Sequence, residues 1–232
     1  MLININFFKN RLMDSNKPVL KRLFKSGYMP RLSIQHGFTL IELLVTVSIA
    51  GILIGIAVPS FKAIIRNSRL TTYTNEFITS LNLARSEAIK RGVPVTVRKV
   101  DNNSKTKLAA DAEWEDGWDI FTDSDLDGVA GKFDGKDVLI KSNVAFNATY
   151  TLRGRGVVAN YIRFGAFGQP VNGDILILCD NSDGNAIPEA DTAKLIDISN
   201  TGRPRIMADN NTPKDGIPNL LLSGANIQTC NP

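Results

Sequence analysis

Two arginines near the C-terminal end of the chain, Arg203 and Arg205, flank Pro204 in the stretch Gly-Arg-Pro-Arg. Proline fixes its own φ and favours an extended conformation for the residue before it. Because residues i and i+2 of an extended segment project to the same side, we expect two parallel guanidinium groups about 6.6 Å apart. Each can bind a phosphate through two hydrogen bonds, and Gly202 would permit a close backbone approach. From charge spacing alone, a surface hairpin with two solvated arginines is the alternative.

The positive charge of the chain is concentrated at its N-terminus. The 232 residues carry 27 basic and 23 acidic side chains, a net charge of +4. Residues 1–37 hold seven of the basic and one of the acidic side chains, which leaves 20 basic and 22 acidic for the remainder. Nucleic-acid binding by the remainder therefore requires a local basic patch. Four further cations could support the arginine pair: Arg153, Arg155, Arg163 and Lys214. The Arg-Gly-Arg-Gly stretch at 153–156 is more simply interpreted as a glycine-containing turn.

An acidic stretch at residues 111–137 holds ten acidic and two basic residues, and it should turn away from DNA. Part of it imitates a calcium-binding loop, in which an Asp-x-Asp-x-Asp-Gly pattern supplies carboxylate ligands. The match is incomplete, because the twelfth position is Asp rather than the usual Glu and no helices flank the stretch. A polar turn with aspartates capping backbone amides is the alternative. We predict no firm metal site and keep calcium as an open possibility at four residues: Asp123, Asp125, Asp127 and Asp134.

The composition argues against catalysis. The single histidine, His36, lies in the basic N-terminal segment, and the rest of the chain contains no nucleophile, phosphate-loop or dinucleotide motif. We therefore expect a protein that is not an enzyme and has no cofactor. The two cysteines, Cys179 and Cys230, are too few for a four-thiolate zinc site. In an exported chain two such thiols more often form a disulfide, which would stabilise the fold by about 4 kcal/mol; two unpaired buried thiols are the alternative.

A long apolar segment precedes all these residues. Residues 38–58 form an apolar run with one charge, Glu42, and as a helix they would span about 31 Å, the thickness of a bilayer core. The basic segment on its N-terminal side predicts a cytoplasmic N-terminus and an exported C-terminal part. An ionisable group near the end of a membrane span is costly and usually functional. If the chain were cut after Gly37, the new α-amino group of Phe38 could neutralise Glu42.

The rest of the chain predicts an α+β fold, in which a β-rich domain at 92–232 packs on the second half of a long helix. Pro59 should kink that helix. Residues 59–91 are amphipathic, and one apolar stripe recurs at three- and four-residue steps: Leu70, Tyr73, Phe77, Leu81, Ala84 and Ala88. Beyond Gly92, short alternating runs predict seven strands, at 93–100, 117–122, 136–142, 144–152, 160–165, 174–179 and 193–199.

The segment HGFTLIELLVTVSIAGILIGIAVPSF resembles the N-terminus of type IV pilins and pseudopilins. That resemblance implies a pilin-like fold and cleavage between Gly37 and Phe38 by a membrane prepilin peptidase, with methylation of Phe38. It also implies that Glu42 acts in assembly with other pilins. A leader of 37 residues is long for this family, and an internal start at Met29 would give a shorter one ending at the same glycine. The resemblance implies a single-pass inner-membrane protein with a periplasmic domain, which later joins a pilus or pseudopilus; a pilus would expose it at the cell surface.

Further stretches, among them LNLARSEAIKRGVPV, RFGAFGQPVNGDILILC and ISNTGRPR, resemble the FimT/GspH branch of that family. Some FimT-type minor pilins bind DNA during natural transformation through a Gly-Arg-x-Arg motif, which Gly202, Arg203 and Arg205 match. The resemblance thus implies non-specific binding of double-stranded DNA through its phosphates. The alternative is a GspH-like pseudopilin of type II secretion that contributes only packing.

Overall fold

The computed structural model describes residues 37–100, 112–123, 133–220 and 223–231. One helix, α1, spans Leu40–Arg91 and continues through position 59. Thr39 caps its first turn, because the Thr39 hydroxyl accepts the backbone N–H of Glu42 at 3.2 Å. Gly92, with φ +67°, ends it after two basic residues in the last turn, which suit the negative end of the helix dipole.

The chain divides into two compact units, Met1–Ile49 and Ala50–Pro232. The described residues of the first unit, 37–49, are all exposed, and their helical part is rich in large apolar side chains. The predicted domain boundaries at residues 37, 58 and 91 stay predictions.

The described residues of the second unit form eight strands in two antiparallel sheets. The first sheet has the order β3-β2-β1-β5, formed by Leu139–Asn143, Trp118–Thr122, Val95–Lys99 and Tyr161–Phe164. The second has the order β4-β6-β7-β8, formed by Tyr150–Gly154, Ile175–Asp180, Ala193–Ile198 and Pro204–Met207. Short 3-10 turns cover Trp114–Asp116 and Gly156–Ala159. All seven predicted strands have a counterpart, although β4 begins only at Tyr150, after a turn at 148–149. β8 was not among the predicted strands.

The main core lies where the second half of α1 meets the sheets. The predicted apolar stripe is buried there, with Tyr73 only partly covered. Phe77 contacts the rings of Trp114 and Trp118 edge to face, at centroid distances of 5.3 and 5.2 Å. Such contacts combine area burial with favourable quadrupole geometry. The predicted α+β fold, a long N-terminal helix packed on an antiparallel β domain, is confirmed.

A second, smaller core covers the opposite face of the β4-β6-β7-β8 sheet. Apolar residues of β6 and β7 pack there against Ile227 near the C-terminus, with Met207, Ile217 and Leu220 at the margin. The disulfide between Cys179 and Cys230 joins the strand to this C-terminal segment, with a Cα–Cα distance of 6.0 Å. The predicted disulfide is therefore confirmed, and it fastens the C-terminal segment to the sheet.

Candidate nucleic-acid interface

The two arginines lie on a tight hairpin between β7 and β8. Ile198 pairs with Pro204, and the backbone N–H of Ser199 donates to the carbonyl of Arg203 at 3.2 Å. The tip is therefore three residues, Asn200 to Gly202, and Gly202 closes it with φ +77° and a hydrogen bond to the Ser199 carbonyl at 2.7 Å. A residue in the left-handed region at this position is typical of three-residue hairpin loops and favours glycine.

Arg203 and Arg205 are both exposed; Arg205 lies on β8, the strand at the edge of the sheet, and Arg203 immediately precedes it. Proline is tolerated at such an edge because its missing N–H breaks no ladder hydrogen bond, which suits Pro204 as the first residue of β8. The extended conformation predicted for this stretch is the one observed. Since side chains alternate along a strand, both arginines fall on the sheet face that also carries Asp197 and Met207.

The two guanidinium groups differ in their surroundings. Arg205 Nη2 donates to Asp197 Oδ2 at 2.6 Å, and the Arg205 side chain remains 52% exposed. Asp197 stands directly opposite Arg205 in the strand register. Within the part of the chain that the structure describes, the Arg203 guanidinium makes no ion pair or hydrogen bond. A phosphate that binds Arg203 therefore meets no competing carboxylate among the described residues, whereas one that binds Arg205 must share it with Asp197.

Gly202 has a structural role that the sequence did not indicate. It is buried, and a Cβ there would lie 3.3 Å from the carbonyl carbon of Gly168 and deep inside the van der Waals radius of its oxygen. Arg85 of α1 donates its Nε–H to the same oxygen at 3.0 Å. The close approach that Gly202 permits is therefore to a neighbouring loop of the protein, which corrects the expectation that it serves a ligand backbone.

Three of the four supporting cations are engaged in internal ion pairs, and two of these three, Arg153 and Arg163, are mostly buried. Arg153 binds Glu115 and is 23% exposed; burial opposes its charge, yet the hydrogen bond and charge of Glu115 raise its pKa. Arg163, on the other sheet, is 13% exposed and lies 3.2 Å from Asp123. Both side chains anchor loops and offer little surface to a ligand.

The other two lie nearer to the arginine pair. Arg155 donates to the Ile175 carbonyl through its backbone, Ile175 pairs with Asp197, and Asp197 pairs with Arg205. Arg155 therefore belongs to the same transverse row as Arg205, three strand spacings or about 14 Å away. Asp174 binds its guanidinium at 2.6 Å and raises its pKa. Lys214 is exposed and lines a cavity of about 610 Å³ beside β8.

The aspartates of the possible calcium loop are only partly described. Asp125 and Asp127 lie outside the described residues. Asp123 is buried, where it accepts a hydrogen bond from the Thr96 hydroxyl at 2.8 Å and pairs with Arg163. Asp134 accepts the backbone N–H of Lys136 at 2.8 Å. Among the described residues no three His, Cys, Asp or Glu side chains group as metal ligands.

The residues of the predicted processing site lie at the start of the described chain. Phe38 is 80% exposed, a Cβ at Gly37 would meet no atom within 4 Å, and Glu42 is exposed in the first turn of α1. In the described part of the chain, α1 alone is long and apolar enough to cross a membrane, judged by length and composition.

Asp197 is the neighbour that the sequence analysis missed. The stretch Ser199 to Gly202 has the composition of a three-residue hairpin tip, with glycine at the left-handed position. Counting outward from such a tip places position 197 opposite position 205. The signal for this ion pair was therefore present in the turn residues.

Two family models match the chain. The model described as type II transport protein GspH matches residues 73–202, and the prokaryotic N-terminal methylation motif matches residues 32–58. Among solved structures, two crystal forms of the type IV minor pilin FimU from Pseudomonas aeruginosa are similar. One is 19% identical, covers 70% of this chain and 96% of FimU, and has a TM-score of 0.47. The other is 18% identical, covers 69% and 98%, and has a TM-score of 0.45. No curated protein matches the chain.

Proposed function

The chain belongs to the GspH family, and from that premise we propose that it is a minor type IV pilin that binds double-stranded DNA for uptake in natural transformation. A pilin-like or pseudopilin-like role, in a type IV pilus or in type II secretion, follows from the family and the methylation motif. Pilin-like proteins assemble with other pilins and are processed by prepilin peptidase. DNA binding is the finer part of the proposal, and it rests on the β7–β8 hairpin.

Maturation forms the first part of the proposal. Cleavage between Gly37 and Phe38 removes a leader with a net charge of +6 and creates an α-amino group one helical turn from Glu42. That amine, methylated on Phe38, neutralises Glu42 within the chain or in a neighbouring pilin, so the carboxylate is tolerated in an apolar filament core. The N-terminus starts in the cytoplasm, and the β domain faces the periplasm before assembly.

One observation carries the DNA-binding part: Arg203, which has no ion-pair partner among the described residues, and an exposed Arg205 share one sheet face at an edge strand. Two guanidinium groups about 6.6 Å apart match the spacing of successive phosphates along one DNA strand. Contacts of this kind carry no sequence information, so binding should be non-specific and salt-dependent. Lys214, beside β8, lies near enough to add a weaker contact.

The test uses the full chain in non-ionic detergent, titrated with a labelled duplex at two salt concentrations. We expect Arg203→Ala plus Arg205→Ala to lower the affinity by about tenfold or more at low salt. The slope of log K against log salt should fall by about two, since two phosphate contacts are lost.

The matched control is Lys90→Ala plus Lys141→Ala, which removes two exposed cations elsewhere in the same unit. All variants retain the basic leader, so differences between them report the hairpin alone. The proposal fails if the unaltered chain does not bind at low salt, or if the arginine variant binds as tightly as the lysine control.

A GspH-like pseudopilin that contributes only packing to a secretion pseudopilus is the second candidate. The family model that matches residues 73–202 bears the description of a type II transport protein, which favours this candidate. It predicts that the arginine variant and the lysine control bind DNA equally. The same titration therefore separates the two functions.

Asp197 is expected to weaken DNA binding, because it holds the Arg205 guanidinium at 2.6 Å. Asp197→Asn should therefore raise the affinity for a duplex about three- to tenfold at low salt, since the phosphate no longer competes with a carboxylate. Asp174→Asn is the matched control, because Asp174 pairs with Arg155 about 14 Å away in the same row. Equal effects of the two substitutions would mean that only net charge matters and that Arg205 makes no specific contact.

A further inference from the structure

A second loop of the domain has the same hydrogen-bond pattern as the hairpin tip that precedes Arg203. In the loop after β5, the Gly165 N–H donates to the Gln169 carbonyl at 2.9 Å, and the Gly168 N–H donates to the Gly165 carbonyl at 2.7 Å. Gly168 has φ +78°, almost the value of Gly202. Each of the two sheets therefore contributes one three-residue tip closed by a left-handed glycine, residues 166–168 and residues 200–202.

The two tips contact each other, and both contact α1. The Gly168 carbonyl lies against Gly202 and accepts the Arg85 Nε–H at 3.0 Å, and a Cβ at Gly168 would lie 2.6 Å from Ile89 Cδ1. Phe167 and Arg203 are the sequence neighbours of these two glycines. From the bond lengths and Cα steps between them, the Cα atoms of Phe167 and Arg203 are at most about 14 Å apart. Phe167 and Arg203, whose guanidinium has no partner in the described part of the chain, thus lie at the same end of the domain.

Phe167 is 85% exposed, which is the highest value for any large apolar side chain in the described part of the chain. Its backbone is fixed by the glycine-closed turn, so the ring is presented to solvent from a rigid support. Exposed apolar surface in such a position is typical of a contact site. Its Cα atom lies within about 14 Å of the Arg203 Cα atom, and nucleic-acid sites that accept unpaired strands combine cations for the backbone with aromatic rings for the bases.

We propose that Phe167 stacks on a base of the DNA whose phosphates Arg203 and Arg205 bind, so that the site takes unpaired nucleotides more tightly than intact duplex. This inference rests on the proposed function. An intact duplex offers the arginines its phosphates but keeps its base faces covered, whereas a single strand or a frayed end offers both. A phenylalanine ring makes no hydrogen bond to a base edge, so the added affinity is independent of sequence.

The experiment titrates the full chain in non-ionic detergent with two labelled probes: a 20-nucleotide oligothymidylate, and a 20-base-pair duplex closed by hairpin loops whose nucleotides are replaced by an abasic linker. We expect Phe167→Ala to lower the affinity for the single strand about tenfold and to change the affinity for the closed duplex less than twofold. Val144→Ala, which trims another exposed apolar residue, is the control and should change neither.

Phe167→Trp supplies a second readout. The two native tryptophans, Trp114 and Trp118, are fully buried, so a tryptophan at position 167 provides the solvent-exposed emission. We expect it to retain single-strand affinity and its emission to be quenched by oligothymidylate, as stacking requires. An unquenched emission, or an unchanged single-strand affinity of Phe167→Ala, would overturn the inference.

The arginine double variant separates the two levels of proposal. If Arg203→Ala plus Arg205→Ala abolishes binding of both probes and Phe167→Ala has no effect on either, the stacking inference is overturned and the proposed function stands. Unchanged binding of both probes by the arginine variant would overturn the proposed function and the inference with it.

Discussion

Gly202→Ala is expected to lower the free energy of unfolding by about 3 kcal/mol or more, whereas Gly184→Ala should lower it by only about 1 kcal/mol. The two glycines have almost the same φ, +77° and +79°, so both substitutions carry the same penalty for a left-handed alanine. A Cβ at position 184 meets no atom within 4 Å, whereas one at position 202 overlaps the Gly168 carbonyl. The difference between the variants therefore measures the steric contact between the two hairpin tips.

Urea unfolding of the full chain in non-ionic detergent, followed by the emission of Trp114 and Trp118, measures both values. These side chains are fully buried in the main core and report its loss. Equal destabilisation by the two substitutions would contradict the close packing of Gly202 on Gly168.

The Gly202→Ala substitution should also affect DNA binding, because an alanine that pushes the tip away from Gly168 moves Arg203 as well. We expect Gly202→Ala to lower DNA affinity even under conditions in which the chain stays folded.

The features that were predictable from the sequence are those that depend on local pattern. The apolar stripe of α1 repeats at the helical period, so its buried face, including Phe77 and Ala88, followed from spacing alone. The strands that alternate or run apolar between turn residues were recognisable for the same reason. β8 was missed because Gly202 and Pro204 are turn and breaker residues, and its pairing with β7 depends on tertiary context.

Most of the site's electrostatics was not predictable, since the partners are distant in sequence. Arg153 pairs with Glu115 and Arg163 lies beside Asp123, separations of 38 and 40 residues. Nothing in the local sequence of either arginine indicates that its charge is already satisfied. The pairing of Asp197 with Arg205 is different, because a hairpin register is set by its turn. The turn residues are therefore enough to predict that contact. The contact between Gly168 and Gly202 joins loops of two different sheets, so no local sequence pattern indicates it.

The arginine hairpin therefore depends on two separate supports. On one face of the sheet, Gly202 packs on Gly168 and Arg85, which ties the tip to α1. On the other face, Leu195 and Met207, paired neighbours on β7 and β8, belong to the small core that the C-terminal segment covers. Loss of the Gly202–Gly168 contact should shift the hairpin tip directly, whereas loss of the small core should weaken the packing of β7 and β8.

Removal of the disulfide, by Cys179→Ala plus Cys230→Ala, is expected to lower the free energy of unfolding by about 4 kcal/mol in the chain-entropy model, since the bond spans 51 residues. Both cysteines are buried, so alanine also removes some packing from the small core. Urea unfolding of the full chain in detergent, with and without a reducing agent, provides the measurement. Reduction of the unaltered chain should reproduce most of the loss, because it breaks the bond and retains the sulfur atoms.

Ile227→Ala is the matched control, because Ile227 is buried in the same small core but takes no part in the bond. It should cost about 2–4 kcal/mol, and its effect should persist in the reduced chain if the C-terminal segment stays docked through packing. If the segment stays docked only through the disulfide, Ile227→Ala should have almost no effect after reduction, because the residue is then already exposed. A loss of less than about 1 kcal/mol on reduction would contradict a stabilising role for the bond. Because the main core with Trp114 and Trp118 lies on the opposite face of the sheet, the emission of the folded state without urea should not change.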